Sequence, residues 1–109
     1  DMEAVAAALD RKLRTHVPEA IFASNDQLAA QAIGALSRLG HRVPEDVRVS
    51  GFNCLPSTGA VHPSLTTIRS PAFRLGAEAA GLLVRRLADG QFETNELVLP
   101  VEPLPGLSL

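Results

Sequence analysis

The sequence predicts an α/β chain built on an open parallel sheet, and three observations point to it. Apolar positions recur every three or four residues from Met2 to Leu13, from Leu28 to Leu39 and from Leu75 to Leu87, the period of helices with one buried face. Between them lie short β-prone runs, Ala20–Ala23, Val47–Phe52 and Leu65–Arg69, of strand length and composition. Helices and strands therefore alternate, and a strand, helix, strand succession nearly always closes as a right-handed unit with parallel strands.

In the first helix Met2, Val5, Ala6, Leu9 and Leu13 share a face, and Asp1 favours its start. It should end near Thr15, because the residue before Pro18 is pushed out of the helical region. Ala20-Ile21-Phe22-Ala23 is continuously apolar, as expected of a strand covered on both faces. Ser24-Asn25-Asp26 ends it, and Asp26 is the expected N-cap of a helix lined by Leu28, Ala29, Ala32, Ile33, Leu36 and Leu39. Gly40 stops that helix, since a residue without Cβ takes the left-handed backbone of a last turn. Pro44, Glu45 and Asp46 make a solvated turn, and Val47, Val49 and Gly51-Phe52 make a second strand ending on Asn53.

CLPSTGAVHPS then reads as a loop, and Leu65–Arg69 as a third strand. Ser70 offers a capping hydroxyl and Pro71 a first helical residue for the last helix, whose face carries Leu75, Ala79, Leu82, Leu83 and Leu87 up to Gly90. Leu97, Leu99 and Val101 alternate like an edge strand, where the donor missing at Pro100 is tolerated. The tail PLPGLSL reads as irregular. A sheet this small with so few helices leaves apolar surface uncovered unless another segment or chain supplies the cover.

Composition narrows the function. The 109 residues carry 10 Lys plus Arg against 12 Asp plus Glu, a formal net charge of -2, so no basic field exists to hold nucleic acid. A 46% apolar fraction with dispersed charges is that of a folded globular chain. No apolar run approaches the roughly 20 residues that span a bilayer, so no membrane partner is expected. The acidic first residues do not match a secretion signal, and a single cysteine, Cys54, cannot form an internal disulfide and fits a reducing compartment.

Catalytic chemistry is not indicated. No G-x-S-x-G elbow occurs, and Cys54 with His62 is the one thiol and imidazole pair sharing a loop, with nothing nearby to lower the thiol pKa. His16, His41 and His62 lack metal-ligand spacing, and no glycine-rich phosphate loop is present, so neither a metal nor a cofactor is expected. Polar groups at strand ends remain: Asn25 after the first strand, Asn53 after the second, Ser70 after the third. In an open parallel sheet those ends share one edge, where ligands bind. An amide offers two donors and an acceptor, which suits hydroxyl-rich or heterocyclic small molecules. A second reading stays open, because Asn and Asp after strands also cap helices and make local turns.

The stretch AIFASNDQLAAQAIGALSRLGHRVPEDVRVSGFN, with HPSLTTIR, LGAEAAGLLVRRL and LVLPVE, resembles the carboxyl-terminal part of the effector-binding domain of LacI/GalR-type transcriptional regulators. The combination of SNDQ, G-x-x-VPEDV-x-V-x-GF and LTTI at these spacings, over about residues 18–102, carries the resemblance. It implies a type I periplasmic-binding-protein-like fold, of which this chain holds an incomplete, Rossmann-like part. About residues 1–64 would form the C-terminal subdomain, about 65–70 a crossover strand, about 71–102 a helix and strand of the N-terminal subdomain, and 103–109 a tail.

The same resemblance implies a cytoplasmic repressor that senses a sugar, nucleoside or similar effector and forms a homodimer through the helix from Asp26 to Leu39. Operator DNA would be read by a helix-turn-helix outside these residues. Asn25 stands where the family places an effector-contacting Asn or Asp. Asn53 stands where it usually has Asp after GF or GY, so a charge is exchanged for donors and the site departs from the standard sugar pattern. Cys54 replaces a commonly acidic or polar residue, and Ser70 takes a position that faces the pocket in some relatives. The tail lacks the usual arginine, so a different or frayed last strand is expected. The alternative is a periplasmic sugar-binding protein of the same fold, and a hydrolase using Cys54 is a third class.

Overall fold

The computed structural model describes residues 2–54, 64–92, 94 and 96–109. They divide into two units, Asp1–Arg69 with Pro103–Leu109, and Ser70–Glu102.

The first unit holds α1 (Met2–Thr15), β1 (Ala20–Phe22), α2 (Asp26–Arg38), β2 (Arg48–Ser50) and β3 (Thr67–Arg69). β1 and β2 pair in parallel, Ala20 with Arg48, Ile21 with Val49 and Phe22 with Ser50, as a βαβ unit requires. On the other flank of β2, Ser50 bridges Thr66 in parallel, and the Gly51 N–H donates to the Thr66 carbonyl at 3.0 Å. β3 pairs in turn with β4 (Glu102–Leu104). The core is Leu13 of α1, Ala29, Ala32, Ile33, Ala35 and Leu36 of α2, and Ala23, Val47 and Val49 around the sheet. Leu36, Val47 and Val49 keep no exposed surface, and burying a side chain of that size stabilises by roughly 1.5–3 kcal/mol. Of the remaining α1 face, Leu9 and Ala6 are half-buried, while the side chains of Met2 and Val5 lie outside the described residues.

Three local expectations change. The run Ala20–Ala23 is not covered on both faces, since Phe22 is 68% exposed; a strand's second face stays wet where no further layer lies over it. The cap of α2 is Asn25 and not Asp26. The tail is neither loose nor frayed: Ser108 is fully buried, its hydroxyl donates to the Val49 carbonyl at 2.6 Å and accepts from the Thr66 N–H at 2.8 Å, and its carbonyl accepts from the Val49 N–H at 2.7 Å. A small hydroxyl residue thus fastens the chain end between β2 and the approach to β3.

The stop at Gly40 is as read. Its φ is +82°, and the His41 N–H reaches back to the Leu36 carbonyl at 2.9 Å, the bond that closes a helix around a left-handed residue. The turn that follows is closed by Asp46, which accepts from the Arg42 backbone N–H at 2.8 Å and from its guanidinium at 2.8 and 3.1 Å.

The second unit is α3 (Ala72–Asp89) and the segment after it. Pro71 takes the cap position with no side-chain cap bond, so the helix starts one residue later than the Ser70-Pro71 signal suggests. Proline fixes φ alone and therefore fits the cap as well as the first turn. Gly90, at φ +77°, ends the helix, with its N–H on the Arg86 carbonyl at 3.0 Å. No α3 residue is buried. Residues 97–101 form no strand, and the extended pairing falls instead at β4.

Candidate functional site

Parallel pairing decides where the strand-end asparagines go. Phe22 and Ser50 are register partners at the carboxyl ends of β1 and β2, and Asn25 and Asn53 each follow three residues later. Both therefore leave the sheet at one rim, the side on which open parallel sheets bind ligands. Asn25 is half-buried and Asn53 exposed.

Asn25 has a local duty. In an extended conformation, φ -155° and ψ 165°, it accepts the Leu28 N–H on its side-chain oxygen at 2.9 Å and the Ala29 N–H on its backbone carbonyl at 3.1 Å. This satisfies a donor that the first turn of α2 cannot. The capping alternative is thus realised, but it uses the amide oxygen once, and an amide carries a second acceptor lone pair and two N–H donors besides. Capping and ligand contact are compatible at this side chain.

Asn53 is held by its backbone. Its N–H donates to the Ile68 carbonyl at 2.8 Å, and its φ of +90° is followed by +54° at Cys54. Asparagine enters the left-handed region more easily than most residues, so the amide is turned where a β-branched residue would strain. Cys54 is a half-buried free thiol; its suggested partner His62 lies outside the described residues. Ser70 is the first residue of the second unit and accepts the Ala72 N–H on its carbonyl at 2.9 Å. Among the described residues, no three His, Cys, Asp or Glu gather as a metal site.

Sequence reasoning missed the floor of the rim. Asp26 is fully buried in the first turn of α2, and Thr67, 6% exposed on β3, donates its hydroxyl to the Asp26 carboxylate. The Asp26 N–H donates to the Phe52 carbonyl at 3.1 Å. Gly51 leaves room for this: a Cβ there would overlap the Asp26 carboxylate and lie 3.1 Å from the Asp26 Cα. Asn and Asp cap about equally well, so local chemistry does not say which of two neighbours caps; Thr67, 41 residues away, decides it.

The carboxyl edge of an open parallel α/β sheet, where Asn25 and Asn53 lie, is the edge at which sheets of this class bind ligands. The chain belongs to the periplasmic binding protein-like domain family, whose model matches residues 1–109. It is 35% identical over 91 residues to a ribose operon repressor of Halalkalibacterium halodurans, covering 83% of this chain and 28% of that repressor. It is 42% identical over 82 residues to the HTH-type transcriptional repressor PurR of Mannheimia succiniciproducens, covering 73% and 25%. A LacI family transcriptional regulator from Enterococcus faecium, solved with bound ribose, superposes with a TM-score of 0.80 at 31% identity, over 94% of this chain and 38% of that one. The chain spans about a quarter of the length of the two repressors. Among the described residues, no helix is long and apolar enough to cross a membrane.

Proposed function

We propose that this chain is the effector-sensing part of a LacI-type transcriptional repressor, with Asn25 and Asn53 contacting a small hydroxylated effector. The observation that carries the reading is the β1/β2 register, which sends Asn25 and Asn53 to one rim. The ribose seen in the Enterococcus faecium regulator and the name of the Halalkalibacterium halodurans repressor support a sugar, and ribose is the first candidate. The chain then binds without transforming its ligand, needs no cofactor, works in the cytoplasm as half of a homodimer, and reaches operator DNA through a separate helix-turn-helix. Binding would act by shifting a pre-existing equilibrium of the whole regulator.

The test separates the two duties of Asn25 by titrating the full-length protein calorimetrically with ribose and a panel of other pentoses, disaccharides and nucleosides. Asn25→Ser keeps a good cap, so stability should hold within about 0.5 kcal/mol. It removes the amide donors, so affinity should fall about tenfold for a lost hydrogen bond of ~1.4 kcal/mol. Asn53→Ala should weaken binding similarly. A panel with no binder, or full affinity in both variants, defeats the reading.

A further inference from the structure

The geometry points to Asp26 as the positioning residue of the rim: it touches no ligand itself, and its bond to Thr67 holds Asn25 and Asn53 in the arrangement that binds. This rests on the reading of that rim as the effector site.

A carboxylate with no exposed surface is expensive unless it is bonded, and Asp26 is such a group in a helix first turn. Its neighbours are the parts that carry the two asparagines. Asn25 precedes it directly and caps the same turn. Its backbone N–H holds the Phe52 carbonyl at 3.1 Å, one residue before Asn53. Its carboxylate takes the Thr67 hydroxyl, and the residue after Thr67 supplies the carbonyl that holds the Asn53 N–H at 2.8 Å. Gly51 has no Cβ at the point where one would displace the carboxylate. Three chain segments, from α2, the end of β2 and β3, therefore meet at one buried side chain. Thr67 lies on the strand through which the chain leaves the first unit, two residues before its boundary at Arg69.

A side chain that merely filled space would stabilise the unit evenly. A positioning role predicts a local effect confined to the rim, and amide hydrogen exchange distinguishes the two. In the full-length protein, Thr67→Val keeps the shape of the residue and removes the hydroxyl, and Thr67→Ser restores it. In Thr67→Val, exchange at the Leu28 and Asn53 amides should rise at least tenfold relative to the His41 amide, which is bonded at the far end of α2. In Thr67→Ser all three should stay near the parent rates. Calorimetric affinity for ribose should fall about tenfold in Thr67→Val and recover in Thr67→Ser.

Exchange that rises equally at all three amides, or at none, overturns the proposal. So does a Thr67→Val protein that binds ribose as the parent does while Asn53→Ala does not. A parent protein that binds no ligand removes the effector reading instead, and the exchange comparison still decides whether Asp26 organises the rim.

Discussion

Helices α2 and α3 have a similar amphipathic pattern, and of these two only α2 buries its apolar face within its own unit among the described residues. α2 buries Asp26, Ala29, Ala32, Ile33, Ala35 and Leu36; the longer α3 buries nothing, leaving Phe73 93%, Val84 65% and Leu87 77% exposed. α2 joins two strands that pair with each other, so the crossover lays its apolar face on Val47 and Val49. The unit holding α3 offers no such layer, because the residues described after the helix, up to Val101, form no strand or helix. Periodicity announces a face, and topology supplies what the face meets.

The largest expected effect tests that contrast directly. In the 109-residue chain, Leu36→Ala should lower unfolding free energy by about 2–5 kcal/mol, the range for deleting a fully buried leucine. Leu87→Ala should change it by no more than about 0.5 kcal/mol, as exposed positions do. Urea denaturation of the two variants measures both. A comparable loss for Leu87→Ala would break the comparison, since it would mean that the apolar face of α3 is covered in solution.

What was legible in the sequence follows the same division. Period and stop signals located α1, α2 and α3, and Gly40 and Gly90 both take the left-handed backbone that their positions implied. The parallel order followed from one βαβ unit, and with it the shared rim of Asn25 and Asn53. Contacts set by distant residues were not legible. Thr67 makes Asp26 a buried acceptor and leaves the cap to Asn25. The proline-rich tail gave no local sign that Ser108 would be gripped by Val49 and Thr66, and alternation at Leu97, Leu99 and Val101 did not suffice to form a strand.

One substitution made in each unit should give opposite signs. A Cβ on Gly106 would overlap the Ser64 carbonyl and lie 2.6 Å from the Leu65 carbonyl carbon. Backbone cannot step aside as a flexible side chain can, so Gly106→Ala should cost about 1–3 kcal/mol by lifting the tail from its seat. On α3, a Cβ at Gly76 meets nothing within 4 Å. There Gly76→Ala should stabilise by about 0.5–1 kcal/mol through helix propensity and reduced freedom of the unfolded chain. Thermal melting of the two single variants reads both signs. A neutral Gly106→Ala would show that the tail is not held as tightly as the Leu107 N–H bond to the Ser64 carbonyl at 2.8 Å and the Ser108 bonds to Thr66 and Val49 imply.

The smallest effect concerns surface ion pairs, where the two units differ in geometry. On α3, Arg74 reaches Glu78 by one contact at 3.7 Å. In the first unit, Asp46 is gripped by the Arg42 guanidinium through two bonds and by the Arg42 backbone N–H through a third. The guanidinium bond, then the backbone bond, hold the Asp46 carboxyl down from 3.8 to about 2. A folded-state pKa below the unfolded one means that the pair's contribution is fully present above pH 3.8. It fades as pH falls and is gone once the pH passes below about 2. Both side chains are exposed, so the energy is small and salt-sensitive, and the titration itself is the measurement to make. Carboxyl-carbon NMR should place the Asp46 midpoint at about 2. Arg42→Met should raise it towards the ordinary value without reaching it, because the backbone N–H at position 42 still donates; Arg74→Met should leave it where it was. An Asp46 midpoint unmoved by Arg42→Met would show that the turn's backbone, and not its charge pair, sets the acidity.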